Sequence, residues 1–420
     1  MTSNVISTST DPSGTQQKNA GEPAFRAQDE AWWNHIASFY PRSPDAIINL
    51  EHGYFGAMAS PVQKALDDGN RLVNERLSPF VRGEYTLTYL DELRVRLASL
   101  IGATPEEILL TRSASESMQV LIGQYHDLKS GDAVLWSNLD YPAMKNAMRW
   151  LHERRGVTVI ELQIELPVTP AELMSCYEDA IRNTPNLKLM LLSQVFPSNG
   201  QVAPVKEITA LARSRGVDVL VDSAHALGQM PLDVQDLDID FAGFNLHKWI
   251  GAPLGVGFVY IRKSALSKIE PHFGDRDFPN DDIRCRLHGG TPSIGAVLAV
   301  PAALEFHDWV GGAGVKAARF SLLRNYWMRR VADLPGLRLL SATQNGTSLA
   351  SFTLDGMGAQ ELQQVLLQRF GIFTIARSIG HRDIVRATVA MTTTKEELDQ
   401  FVDALTALSH QRHEKDRLTI

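Results

Sequence analysis

From Ile48 to about Val300, apolar runs that read as strands alternate with stretches of helical period. The strand-like runs are Glu107–Thr111, Ala133–Trp136, Val157–Glu161, Leu187–Leu192, Val217–Val221, Phe241–Phe244 and Gly257–Ile261. Between them, Pro61–Leu77, Tyr85–Leu100, Glu116–Tyr125, Pro142–Arg155, Ala171–Ile181 and Val205–Arg215 place apolar residues three and four apart, as helices do. Alternation of this kind predicts an α/β fold: a mainly parallel sheet covered by helices, with ligands at the carboxyl ends of the strands.

Beyond two further helical stretches, Ser293–Trp309 and Gly314–Ala332, the pattern changes. Short strands are predicted at Leu337–Leu340, Leu349–Leu354, Ile372–Ala376 and Ile384–Ala390, with helices at Ala359–Phe370 and Lys395–Ala407. This is the pattern of a smaller α+β domain. A chain of 420 residues exceeds what one hydrophobic core usually serves, which agrees with two domains. The expected division is a disordered tail at 1–28, a helical segment at 29–45, a large domain at 46–300, a small domain at 301–410 and a tail at 411–420. The opening segment is rich in Ser, Thr, Gln, Asn and Pro and has no apolar signal region, which suggests a cytoplasmic protein.

Charge and cysteine content remove several classes of function. The net charge is −7 with no basic cluster to track a phosphate backbone, so no nucleic-acid partner is expected. No apolar run is long enough to span a bilayer. The two cysteines, Cys176 and Cys285, cannot form a disulfide framework or a four-sulfur zinc site. Cys176, inside a helical stretch, is expected to be a structural thiol.

The candidate chemistry lies at two strand ends. Asp222 closes the run Val217–Asp222, and Lys248 follows Phe241–His247. Taken alone, each is an ordinary residue at a strand terminus. A buried acid on one strand and an amine on the next are together what pyridoxal phosphate requires: the acid keeps the pyridine nitrogen protonated and the lysine forms a Schiff base. Thr111-Arg-Ser-Ala-Ser-Glu116 sits where a strand gives way to a helix, a place where free N–H groups attract an anion. Ala114 and Ser115 are its candidate phosphate contacts, although a Ser-capped helix alone would look the same.

The runs Asp222-Ser-Ala-His225-Ala-Leu-Gly228, Asn245-Leu-His247-Lys248-Trp249 and Gly251-Ala-Pro-Leu-Gly255-Val-Gly257 resemble the core of class V aminotransferases of pyridoxal phosphate fold type I. The likeness runs from about Asp45 to Leu408 and is strongest to the isopenicillin N epimerase branch. It implies a large domain plus a smaller C-terminal domain, with the N-terminal segment packed on the small one. It also implies that Lys248, Asp222 and His225 are catalytic. Ala114, Ser115, Tyr141, Asn245 and His247 would hold the cofactor, His225 by bonding its 3′ oxygen, Tyr141 by stacking on its ring. Thr291, in Gly289-Gly290-Thr291-Pro292, would reach the neighbouring subunit's phosphate site, which makes the expected unit a homodimer. Arg386 would grip the substrate carboxylate, with Arg377 and Arg382 as rival anchors, while Tyr54 and Arg82 would line the substrate entrance.

Two departures from the family pattern matter. No cysteine stands between Gly371 and Arg386, where cysteine desulfurases of this class carry a nucleophilic thiol, so persulfide transfer is not expected. Where many relatives have an Asn near the 3′ oxygen, this chain has Phe196-Pro-Ser198-Asn199-Gly200, leaving Ser198 or Asn199 as substitutes. The resulting expectation is an enzyme acting at Cα or Cβ of an amino acid, of epimerase or aminotransferase type. A β-eliminating lyase or decarboxylase shares the same residues and is the alternative. A metal hydrolase using Asp222, His225 and His247 lacks any supporting ligand spacing, and a silent subunit would not need every catalytic position filled.

Overall fold

The computed structural model describes residues 22–41, 47–342 and 346–418, with side chains described between residues 23 and 411. The tail expected at 1–21 and the boundary at 45/46 lie outside the described residues.

Seven strands form one sheet in the order 108–111, 257–261, 241–245, 218–222, 187–193, 133–137, 158–162. Each lies within one residue of its expected run. All point the same way except Gly257–Ile261, which runs antiparallel to both neighbours. Helices cover both faces, so the central strands are buried on both sides: Ala133–Ser137, Phe241–Asn245 and Gly257–Ile261 have no exposed residue. That is why they read as unbroken apolar runs. Local signals set the helix limits. Pro142 opens Pro142–Arg155 and Gly156 ends it at φ 66°, while Thr169 and Glu172 cap Pro170–Asn183 reciprocally.

A second sheet of four antiparallel strands, in the order Ile375–Ile379, Arg382–Thr388, Leu349–Leu354, Leu337–Leu339, forms the small domain. The expected strand at Ile372–Ala376 is divided: Ile372–Phe373 pairs in parallel with Ile48–Asn49, and the chain then turns at buried Thr374 into the four-stranded sheet. The N-terminal residues 48–51 therefore lie along the small domain, with Glu51 bridging Thr388.

Four other expectations are corrected. Glu22–Gln28 is a helix, not tail, and the last helix runs Lys395–Leu418 through the expected C-terminal tail. Arg319 ties the N-terminal helices to helix Gly312–Val331 by donating to Ala27 O and pairing with Glu30 at 2.9 Å. The helix expected at Ser293–Trp309 is two, Ile294–Leu298 and Val300–Val310, because Pro301 lacks the N–H that would carry the ladder across. Pro79 likewise accompanies a break at Leu77 (φ 55°), after which residues 81–89 form a wider helical turn before Leu90–Ile101.

Candidate active site

Four parallel strands end at one cleft of about 1080 Å³, part of it open to solvent. Its wall begins where each strand stops: Asn138–Pro142 after Ala133–Ser137, Ser193–Ser198 after Leu187–Ser193, Asp222–His225 after Asp218–Asp222, and Asn245–Lys248 after Phe241–Asn245. This is the carboxyl-end location expected of a parallel sheet.

At its floor, Lys248 Nζ lies 3.0 Å from His225 Nε2. Burial pushes the Lys248 amine down to about 8, partly opposed by the carboxylate of Asp222. Burial raises Asp222 above the usual carboxylate range, against the pull of the Ala224 N–H, which donates to Oδ1 at 3.0 Å, and of Lys248. His225 is held well below its ordinary value by burial and by the adjacent cations, so it is neutral at physiological pH. An acid, an amine and a neutral imidazole thus share the cleft, each carried at or just beyond the end of a parallel strand.

The helix Ala114–Gln124 starts at the same cleft, capped by Ser113, whose Oγ accepts from Glu116 N. Asn245 Oδ1 accepts the Ala114 N–H at 2.7 Å and ties this helix start to the strand that carries Lys248. Packing here is tight: a Cβ on Gly257 would stand 2.9 Å from the Ser113 backbone. His247, lowered by burial, bonds Val256 O at 3.3 Å through Nδ1 and lines the cleft. Buried Asp140 accepts from Ser137 N and Ser193 N and so holds the turn that presents Tyr141.

The opposite wall belongs to the small domain. Arg386 is paired with Ile375, and Arg377 with Ile384, across adjacent antiparallel strands. Directly opposed residues share a face, so both arginines point to the cleft. Arg377 has no hydrogen-bond or ion-pair partner among the described residues. Arg386, 3% exposed, donates to Pro197 O at 2.6 Å through Nη1 and pairs with Glu51 Oε1 at 2.6 Å through Nη2.

The structure therefore brings Lys248, Asp222, His225, Ala114, Ser115, Tyr141, Asn245, His247, Tyr54, Arg377 and Arg386 to one cavity. It does not bring Arg82, Arg382 or Thr291 to the cavity of their own chain. Arg82 is exposed on the wide helical turn, and Arg382 is exposed and donates to Leu166 O. Thr291 is exposed beyond Gly290 (φ 59°). Cys176 and Cys285 also lie elsewhere, on helix Pro170–Asn183 and in the turn Ile283–Arg286. Of the two substitutes, Ser198 lines the cleft while Asn199 turns away to Leu340 O and Gln201 N. Sequence reasoning missed Glu51, although it lies within the stretch Asn49–Met58 assigned to the entrance. It also missed Ser193, a polar strand end like Asp222.

These residues fit pyridoxal phosphate. His225 and Ser198 line the cleft, and His225 Nδ1 and Ser198 Oγ are buried polar atoms without a partner among the described residues, free to meet a ligand. A protonated ring nitrogen would return Asp222 to its ionised form, and the helix start suits a phosphate.

Comparison with known proteins agrees with this geometry. The model of the family described as aminotransferase class-V matches residues 62–401. The isopenicillin N epimerase of Streptomyces clavuligerus is 29% identical over 384 residues, covering 86% of this chain and 95% of that protein. A probable cysteine desulfurase of Methanothermobacter thermautotrophicus is 25% identical over 350 residues, covering 78% and 84%. Among solved structures, a cysteine desulfurase from Escherichia coli superposes with a TM-score of 0.76 at 24% identity, over 90% of this chain and 98% of that one. The complex of a cystine C–S lyase with cysteine persulfide gives 0.76 at 24% identity, over 86% and 97%. At that identity the structural likeness carries the fold alone.

Proposed function

The chain belongs to the aminotransferase class-V family, whose enzymes use pyridoxal phosphate, and on that premise we propose that it is an epimerase- or aminotransferase-type enzyme acting at Cα or Cβ of an amino acid. The observation that carries the reading is the pairing of an enclosed Lys248 amine, 3.0 Å from His225 and facing Asp222, with an arginine-bearing wall opposite. The similarity to isopenicillin N epimerase over almost its whole length supports the branch.

Pyridoxal phosphate supplies an electron sink for bonds broken at Cα. Ala114 and Ser115 at the helix start, with Asn245 and His247, would hold its phosphate. Asp222 would supply the charge that keeps its ring nitrogen protonated, and Tyr141 and His225 would help to hold the ring, His225 by a hydrogen bond to the 3′ oxygen. Lys248 would carry a proton to and from the substrate Cα at Nζ, and the burial that pushes its amine down to about 8 in the cofactor-free protein suits it to act as a base at physiological pH. The arginine wall orients the substrate carboxylate, and that orientation selects the bond that breaks. Incubating the protein with a panel of amino acids while assaying stereochemical inversion, keto acid, ammonia and carbon dioxide tests the reading. Inversion without keto acid identifies an epimerase, and keto acid with recovered amine an aminotransferase. Ammonia or carbon dioxide as the main product refutes both.

Persulfide transfer to an enzyme thiol is not part of this proposal, because neither cysteine lines the cleft. Cys176→Ala and Cys285→Ala are each expected to change kcat/KM by less than about threefold, under roughly 0.7 kcal/mol. Mass-spectrometric detection of a persulfide on either residue during turnover of free cysteine would reverse that conclusion.

We further propose a homodimer, in which the exposed Gly290–Thr291 turn reaches the partner's phosphate site. Thr291→Ala should weaken cofactor retention by about tenfold, the worth of one hydrogen bond to a charged group, and leave the melting temperature of the cofactor-free protein unchanged. Sedimentation that finds an active, cofactor-saturated monomer rules the assignment out.

A further inference from the structure

We propose that Glu51 is a resident carboxylate on Arg386, which competes with the carboxylate of the substrate and so sets the affinity and selectivity of the cleft. The inference rests on the reading above that the cleft receives amino acids. The two edges by which a guanidinium grips a carboxylate, Nη1/Nη2 and Nε/Nη2, share Nη2. In this protein Nη2 is the nitrogen held by Glu51 at 2.6 Å, while Nη1 donates to Pro197 O.

Glu51 is not a passing surface partner. Its backbone bridges Thr388, two residues beyond Arg386 on the same strand, and Thr388 N donates to Leu50 O at 2.7 Å. Glu51 N is in turn held by Asn49 Oδ1 at 3.0 Å. Both side chains are nearly enclosed, at 4% and 7% exposed. Gly53 closes the arrangement from the next turn, since a Cβ there would stand 2.7 Å from Nη2.

The pair is nevertheless incomplete. Glu51 Oε2 and Arg386 Nε are buried without partners among the described residues, so neither group is saturated. An ion pair serving stability alone gains by closing both contacts, whereas a second carboxylate that displaces Glu51 from Nη2 of this half-closed pair can close a whole guanidinium edge. An incoming carboxylate therefore meets Arg386 already neutralised, while Arg377, without an ion-pair partner among the described residues, brings uncompensated charge to the same face.

The test uses the holoenzyme and two simple probes measured by calorimetry: propionate, a carboxylate with no amine to react, and ethylamine, an amine with no carboxylate. Glu51→Gln keeps the shape and removes the charge, so propionate should bind about tenfold or more tighter while ethylamine is unchanged. Glu51→Ala should shift propionate in the same direction. Adding Arg386→Gln should abolish the gain, because the two residues act as one coupled pair. Propionate affinity in Glu51→Gln equal to or weaker than in the wild type, undetectable binding to both proteins included, overturns the inference. The two readings fail separately: loss of pyridoxal phosphate from the wild-type protein on dialysis refutes the cofactor site, whereas retained cofactor with unmoved propionate affinity refutes the role of Glu51.

Discussion

Lys248→Ala is expected to reduce turnover by several powers of ten, each worth about 1.4 kcal/mol of barrier, while the folded protein still retains pyridoxal phosphate noncovalently. The size of the effect follows from the two duties proposed for Lys248, holding the cofactor and moving a proton, with no other lysine lining the cleft among the described residues. Lys316 is the instructive comparison. It too is buried, with its amine pushed down to about 7, but that amine donates to Trp249 O and meets His307 at 3.2 Å, outside the cleft. Borohydride-reduced protein should therefore carry the pyridoxyl mass on the Lys248 peptide, and finding it on Lys316 would refute the assignment. The pH dependence carries a second check. Burial disfavours the charged amine, so Lys248 in the apoprotein should become reactive toward aldehydes as pH rises through about 8, well below the ordinary lysine range. A midpoint near 10.5 would mean that the amine is not enclosed as the structure has it.

The large domain was legible in the sequence because its physics is local. Strands buried on both faces must be apolar throughout, and the residues that stop them, Ser137, Ser193, Asp222 and Asn245, are the polar positions at which the chain turns into the cleft. Helix limits were legible from Pro142, Gly156 and the Thr169–Glu172 capping pair. The small domain was harder. Ile372-Phe-Thr-Ile-Ala376 is one apolar run, and nothing within it announces that its first half pairs with Ile48–Asn49 and its second half with Arg382–Thr388. Such a division depends on Ile48–Asn49, which lies hundreds of residues from Ile372.

The candidate site divides in the same way. Asp222, His225 and Lys248 follow strand ends, so their convergence could be read from the alternation of elements. Arg386 could be found as a cation on a small-domain strand, but its partner could not, because Glu51 lies 335 residues away and nothing in its own neighbourhood marks it as paired. Arg82 lies apart from the cleft of its own chain. Its place in the sequence suggested the entrance, yet Pro79 and the break at Leu77 lead into a wider helical turn that leaves the side chain in solvent.

Asp222→Asn should leave the fold intact and still remove most of the activity. The side chain is 7% exposed, and Ala224 N donates to its Oδ1, a contact that the amide oxygen of Asn can keep. What Asn cannot keep is the negative charge. In the cofactor-free protein burial already strains that charge, raising Asp222 above the usual carboxylate range. A protonated pyridine nitrogen beside it relieves the strain, and by reciprocity the ionised Asp222 keeps that nitrogen protonated. With Asn the ring nitrogen loses its counter-charge and its proton, and the ring becomes a weak acceptor for electrons released at Cα. Turnover is therefore expected to fall by several powers of ten, each about 1.4 kcal/mol, with little change in the amount of cofactor bound. Kinetics on the variant, together with its cofactor content and circular dichroism, separate the outcomes. A folded, cofactor-loaded Asp222→Asn protein with near-normal kcat would show that another acid serves the ring, and Asp222 would then be only a strand terminus.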